Sequence, residues 1–381
     1  MHEILFKQTS LKREKIAEFF AQKFAATPPL FYNSVDLRHN GLKLAPIDTN
    51  CFPAGFNNLS FESKILAKKI TNEAVSTKKI LIIPENHTRN QRYWLNVASL
   101  IEILSEGREV GVGTLIPLEE NGIVPTFLLQ EKDLHEADLV VLNNDLTNGA
   151  PEILANVKTV PPVKMGWHLR RKSNHFTIYN LLAAELAEIL EIDPWLISSM
   201  HRSCDEVNFK EKKGVECLAQ NVDELIKNIR KKYQEYGIND EPYCYIKADN
   251  GTYGIAVWPV FSGQEVLEIN KKERNKMNML KGSIQTQKVM IQEGIRTDDK
   301  IDGKIAEPMI YLINGQVVGN LFRVNETRDE KISLNSPGAN FFDLQNLTED
   351  QLQLGIAKDQ ITETYSLVAR LAALASSIEN Q

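Results

Sequence analysis

Between residues 61 and 143 the sequence changes its hydrophobic period several times, and that switching restricts the fold more than any other feature. Residues 61–74 repeat apolar side chains at helical spacing, 79–84 is a short apolar run closed by Pro84, and 91–104 is helical again. Strand patterns return near 110–116 and at 138–143. Strand alternating with helix is the pattern of an open, largely parallel α/β layer, because a parallel pair needs a crossover between its strands.

The flanking regions read differently. Residues 11–26 place Ile16, Phe19, Phe20 and Phe24 near one helical face, and 33–38 with 43–48 reads as a strand pair around the turn His39-Asn40-Gly41. Pro151, Pro161 and Pro162 punctuate 148–163, where we place a boundary. Helical material is expected over 173–236 and a strand-rich unit over 242–342. A last helix, 359–377, carries Ile361, Tyr365, Val368, Leu371 and Leu374 on one side.

A chain of 381 residues is long enough for two or three packed units. Its composition, 43% hydrophobic and 25% charged, is that of an ordinary globular protein. A net charge of −6 argues against sequence-independent nucleic-acid binding, which runs on phosphate neutralisation, yet leaves room for a local basic pocket. No apolar run approaches the roughly 20 residues of a membrane span, and the charged N-terminus does not read as a secretory signal. Cys51, Cys204, Cys217 and Cys244 form no CxxC pair, so reduced thiols in a cytoplasmic protein are expected. A homo-oligomer stays open.

The sharpest local signal is Tyr243-Cys244-Tyr245-Ile246-Lys247, followed by Asp249, Gly251 and Gly254 and then a second apolar run. Backbone N–H groups of a glycine loop can approach phosphate oxygens closely, and Lys247 at its base can meet an α- or β-phosphate as a point charge. The order of lysine and glycines is not that of a Walker A loop. The plain alternative is a hairpin whose lysine head reaches water. Further on, 288–295 is an apolar strand ending in Gln292, Glu293, Gly294 and Ile295, a hinge that can face an adenine edge while Glu293 holds a ribose hydroxyl. A hairpin with an Asn314-Gly315 turn follows. Glu307, Asn325 and Asn335 are the oxygen donors that Mg²⁺ prefers when it is shared with phosphates, though each taken singly is more often a turn or cap residue.

On the substrate side, 33–59 is rich in Asp and Asn for strand-forming sequence. Asp36, Arg38, Asp48, Asn50 and Asn57 offer both signs of bonding group to a zwitterionic amino acid, or simply satisfy local backbone. Arg89 and Arg92 follow the strand 79–84, at the strand end and helix start where anions gather.

The ordered set over about 163–342 resembles the ATP-grasp superfamily: strand, lysine, glycine loop, strand, adenine hinge, then strands with metal ligands and an arginine. Lys164 or Lys172 is the candidate for the upstream lysine of that family. Met309 stands where the family has an arginine. The stretches 36–59, 166–176, 247–254 and 323–340 together resemble a small bacterial glutamate–cysteine ligase family, distinct from the better-known γ-glutamylcysteine synthetases.

That resemblance implies an N-terminal open α/β domain followed by two ATP-grasp subdomains. The expected units are 1–160 on the substrate side, 161–240 as a largely helical first subdomain, 241–350 as the second, and 351–381 as a C-terminal helix. It also implies ATP and Mg²⁺ as cofactors, and L-glutamate and L-cysteine as substrates joined through a glutamyl acyl phosphate in the first step toward glutathione. Arg323 would steady the acyl phosphate and Lys247 the ATP phosphates. The rivals are another ATP-grasp ligase of glutathione-synthetase type, and a non-catalytic nucleotide-binding module.

Overall fold

β-Branched and leucine side chains in the run KILIIP suit a strand covered on both faces, and in the computed structural model that run is the central strand of a parallel sheet. The structure describes residues 3–86, 90–118, 121–250, 256–278, 288–336, 338–353 and 356–381. In chain order α1 (Glu3–Leu11), α2 (Arg13–Ala26), β1 (Tyr32–His39), β2 (Leu44–Asn50), α3 (Phe61–Ala74), β3 (Lys79–Pro84), α4 (Gln91–Leu104), β4 (Glu109–Thr114), β5 (Phe127–Leu128), α5 (Glu131–Glu136), β6 (Leu139–Asn143) and β7 (Thr159–Val160) form the first part. They are followed by α6 (Lys172–Leu190), β8 (His201–Cys204), α7 (Val215–Glu235), β9 (Cys244–Ala248), β10 (Val257–Val260), α8 (Gly263–Leu267), α9 (Lys271–Asn278) and β11 (Val289–Glu293). The chain closes with β12 (Lys300–Ile301), β13 (Lys304–Ile313), β14 (Gln316–Val324), β15 (Asn340–Asp343) and α10 (Lys358–Glu379).

Three sheets result among the described residues. The parallel sheet has the order β5-β4-β3-β6-β7, so the chain reverses its direction of growth between β3 and β6. A four-stranded antiparallel sheet runs β10-β9-β11-β8. The large antiparallel sheet runs β15-β14-β13-β1-β2, with β12 paired to β13. The fold is thus mixed α/β with several sheets. The expected parallel layer is present, but β1 and β2 lie outside it: β1 pairs with β13, more than 270 residues later, Tyr32 opposite Ile313.

Alternation explains how the antiparallel sheets face their surroundings. In β9, Cys244, Ile246 and Ala248 pack with α7 and α8, while Tyr245 and Lys247 point to the other face. In the large sheet Val35, Leu37, Ile310, Leu312, Phe322 and Val324 pack against α6 and α10, which turns Asp36, Arg38, Glu307 and Arg323 the other way. Helix α10 is buried on more than the one side its sequence suggested: Ala369, Ala372, Ala373 and Ala375 are all inaccessible. Their small side chains let α10 lie close to both the sheet and α6.

Two differences from the sequence reading concern short elements. The expected helix 11–26 is α2, beginning at Arg13, and a separate helix α1 that the sequence pattern did not suggest precedes it. The expected helical stretch 173–236 contains the strand β8, whose polar run His201-Arg202-Ser203-Cys204 carries no apolar alternation. The Asn314-Gly315 hairpin is as expected, with positive φ at both residues (48° and 70°), the backbone that matches the twist of β13 and β14.

Candidate active site

The inner face of β9 meets the inner face of β1 and β2. Arg38 Nη1 donates to Tyr245 Oη at 2.9 Å, and Lys247 Nζ donates to the Ile47 carbonyl at 2.9 Å and to Gln292 Oε1 at 2.6 Å. Between them opens a pocket lined by Asp36, Asp48, Lys172, Tyr245, Lys247 and Asn335, among others. Lys172, the first residue of α6, reaches Asp48 Oδ1 at 2.5 Å. Arg170 fixes this approach: its guanidinium grips Glu379 at the end of α10 through two bonds and donates to the Thr49 carbonyl on β2. Asp249 adds a second anchor, accepting from Ser173 N and Oγ at 2.8 Å while its own carbonyl accepts from Lys172 N.

Two ammonium groups and one carboxylate leave this set with excess positive charge. Burial pulls Lys247 down to about 8, against the attraction of Asp48 and with the repulsion of Lys172. Burial would raise Asp48, but Lys172 and Lys247 outweigh it and hold the carboxyl below its ordinary value. The Asp48 side chain is 39% exposed, so the set opens toward solvent.

One strand away the charges are arranged differently. Glu307 is fully buried and bonded by Arg38 Nε and Arg323 Nη1, both at 2.9 Å, and Arg323 Nη1 also meets Asp36 Oδ2 at 3.1 Å. Arg38 spends its remaining donors on Tyr245 Oη and on the carbonyls of Ile295, Glu330 and Ile332. Burial would raise Glu307, yet its two arginines hold it below the usual carboxylate range. Asp36, with a single cation, goes up because burial wins over Arg323.

A larger cleft of ≈ 620 Å³ shares Asp36, Asp48 and Asn335 with that pocket. Its far end lies at the carboxyl ends of β3 and β6, where the parallel sheet reverses its strand order and ligands of open α/β sheets collect. Asn90, Arg92, Tyr93 and Asn96 of the α4 start and Asp145 just past β6 line it, with Trp167, Tyr311 and Phe341 as apolar wall. Asn90 caps α4, its side chain accepting from Tyr93 N. Gly55 forms part of the floor at φ 113°, and a Cβ there would stand 2.4 Å from Tyr311 Oη.

The structure brings together Lys172, Lys247, Asp36, Asp48, Asn50, Asn57, Arg323 and Asn335 of the residues expected from sequence. Others fall elsewhere. Lys164 is exposed on a 3-10 turn and lines neither opening, whereas Lys172, the other candidate, lines the pocket. Glu293 is not free for a ribose: it pairs with Lys43 at 2.8 Å and accepts from Trp195 Nε1 and Met200 N. The Ile295 carbonyl holds Arg38, and a Cβ on Gly294 would stand 2.4 Å from the Tyr243 ring, so this hinge is packed tight. Gln292 is fully buried, with Oε1 on Lys247. Arg38 is committed to the buried network rather than to a substrate, and Asp249 to the α6 start. Arg89, Gly251 and Gly254 lie outside the described residues.

The expected metal set does not fit as a set. Both Glu307 oxygens are held by arginines, and Asn325 organises its own turn, Oδ1 accepting from Thr327 N and Oγ1 and Nδ2 donating to Ser336. Only Asn335 of the three faces the openings. Asp145 and Trp167 escaped the sequence reading. The signal for Asp145 was its place two residues past a parallel strand beside the point of reversal; Trp167 had none, since an isolated aromatic reads as core.

A sequence model of the family described as glutamate-cysteine ligase matches residues 7–380. A solved structure from Methylobacillus flagellatus KT, provisionally assigned as a gamma-glutamylcysteine synthetase, is 36% identical and superposes with a TM-score of 0.88 over 99% of this chain and 96% of that one. A D-alanyl-alanine synthetase A from Vibrio cholerae is 11% identical (76% and 81% covered, TM-score 0.30), and a glutathione synthetase-like effector from Globodera pallida 10% (89% and 79%, TM-score 0.33). Both superpose too loosely to bear on the fold. No curated protein sequence matches.

Proposed function

Since the chain belongs to the glutamate–cysteine ligase family and is an ATP-dependent ligase, we propose that its reaction runs through a glutamyl acyl phosphate formed where the two antiparallel sheets face each other. One observation carries this reading. The pocket with the net-positive set Lys172, Asp48 and Lys247 opens into the larger cleft through Asp36, Asp48 and Asn335, so a phosphate-binding end and an amino-acid end are continuous.

Amide formation in water is uphill, so the γ-carboxylate of L-glutamate must first be activated. Lys247 and Lys172 would neutralise ATP phosphates, and the carboxylate would attack the γ-phosphate from the cleft side. Arg323, held by Asp36 and Glu307 at the cleft wall, would present its guanidinium edge to the acyl phosphate in a fixed direction. The amine of L-cysteine then displaces phosphate. Arg92 and the α4 start suit the α-carboxylate of an amino acid, and Asp145 its ammonium. Two facing antiparallel sheets with lysines between them support an ATP-grasp-like layout, with β8–β11 and α7–α9 on the nucleotide side. Mg²⁺ is the expected companion of ATP; Glu307 and Asn325 are otherwise bonded, which leaves Asn335 alone of its three expected ligands facing the openings. A cytoplasmic setting fits thiol chemistry on a chain with no helix, among the described residues, long and apolar enough to cross a membrane.

The test is isotopic. Enzyme given ATP and L-glutamate labelled with ¹⁸O in the γ-carboxylate, plus L-cysteine, should release phosphate carrying one ¹⁸O per amide formed. Unlabelled phosphate at full turnover would rule out the acyl phosphate.

A further inference from the structure

The edge of the four-stranded sheet farthest from β10 carries a pair of thiols that the ligase reaction does not use. Cys204 ends β8 and is buried; Cys217 lies in the first turn of α7 and is exposed. One amide serves both: Asn221 Nδ2 lies 3.3 Å from Cys204 Sγ and 3.5 Å from Cys217 Sγ. Asn221 is itself held, Nδ2 on the Cys217 carbonyl at 3.0 Å and Oδ1 accepting from Arg202 Nη1 at 3.0 Å. The two sulfurs are therefore neighbours on separate elements, joined by the loop 205–214. Cys51 and Cys244 are buried elsewhere, which makes Cys217 the exposed thiol of the chain's four.

We propose that Cys204 and Cys217 are a thiol–disulfide exchange site that takes low-molecular-mass disulfides of the kind formed when cysteine or a γ-glutamylcysteine thiol oxidises. Exposure assigns the order. The Cys217 thiolate attacks one sulfur of the small disulfide, its S–S bond breaks, and one small thiolate leaves and takes up a proton. Cys204, stripped of its proton, then attacks the Cys217 sulfur of the mixed disulfide, forming the internal S–S bond and expelling the second small thiol. Two protein thiols are oxidised and one small disulfide is reduced to two thiols, so no other oxidant enters. Burial and the neighbouring Cys217 sulfur, with a smaller push from Asp205, raise the Cys204 thiol to about 12, so Cys204 does not begin the exchange, and capping Cys217 removes one of the causes that hold it there.

The site has a route to the nucleotide pocket that needs no change of fold. Cys204 pairs with Val289 on β11, and Val289 pairs on its other side with Ala248 on β9, between Lys247 and Asp249. A bond that draws the end of β8 toward α7 therefore pulls on a cross-strand row ending beside the phosphate-facing lysine.

The experiment treats full-length reduced protein with cystine, and separately with glutathione disulfide, then measures intact mass under denaturing, thiol-blocked conditions and maps the linked peptides. The expected product is protein lighter by two hydrogens, with Cys204 bonded to Cys217, reverting on addition of dithiothreitol. Cys204→Ala should stop at a mixed disulfide on Cys217, and Cys217→Ser should not react. A wild-type chain that stops at the mixed disulfide, reacts at Cys51 or Cys244 instead, or does not react overturns the proposal. None of these readouts depends on ligase turnover, so the site and the reaction mechanism stand or fall separately.

Discussion

Two sets of charges lie side by side where the inner face of the large sheet meets β9 and the start of α6, and they are built to opposite rules. In the first, Asp36, Arg38, Glu307 and Arg323 balance two anions against two cations, and Glu307 and Arg38 are inaccessible to solvent. In the second, Lys172, Lys247 and Asp48 carry an unbalanced positive charge, and Asp48 opens to solvent. A balanced buried network largely satisfies itself, with only Asp36 and Arg323 reaching the cleft wall; an unbalanced one at the mouth of a pocket is suited to bind an anion. On the proposed function, the first set holds the sheet and the second meets ATP.

The largest expected effect lies in the balanced set. Glu307→Gln leaves Arg38 without a carboxylate and Arg323 with Asp36 alone, and should cost about 3–5 kcal/mol of stability, read as a lower urea midpoint. An unchanged midpoint would break the comparison, since Glu307 would then not be needed for balance. Arg323→Met should also lower the midpoint, because Asp36 loses its cation; for that reason its loss of activity must be read at matched folded fraction.

Next comes Lys247→Ala. Loss of this charge should lower kcat/KM for ATP by a factor on the order of 10²–10³. Stability should stay level or rise slightly, because the side chain's folded-state pKa is depressed and its protonated form is disfavoured by folding. A stability loss with ATP kinetics intact would move Lys247 into the structural class. Lys172→Met should act in the same direction by roughly tenfold, since Asp48 would then draw on Lys247 alone.

A pH profile sharpens the same point. With Lys247 near 8 in the free enzyme, its positive charge is full below that pH and lost above it, so kcat/KM for ATP should decline as pH rises through about 8. Lys247→Arg should push this alkaline limb out of range, and a limb that persists unchanged belongs to another group. Smallest of all, Lys164→Ala should leave ATP kinetics as they are, because Lys164 lies on an exposed turn away from both openings.

Local pattern made much of this legible. The bounds Phe61–Ala74, Lys79–Pro84 and Gln91–Leu104 follow from periodicity and punctuation alone, and the Asn314-Gly315 hairpin from the φ values those residues tolerate. Pairings at long range were not legible. Nothing in Tyr32–His39 says that its partner is β13, because an antiparallel register depends on which faces must be buried together, not on spacing. The same blindness affected the site. Glu293, Glu307 and Arg38 look like ligands in sequence because they are charged and stand at strand ends. Whether a charge is free depends on residues such as Lys43 and Trp195 that arrive from elsewhere in the chain. The place of Lys247 at the pocket was legible because its setting, a strand end, is local.

The most direct test of the distinction between the two charge sets is a crystal structure of the enzyme with ADP bound. Phosphates are expected between β9 and β2, within contact of the Lys247 and Lys172 ammonium groups, with the Asp36, Arg38, Glu307 and Arg323 network unchanged. Phosphates seated instead in the basic hollow of Arg171, Arg202 and Lys288 on the other side of Asp249 would contradict it.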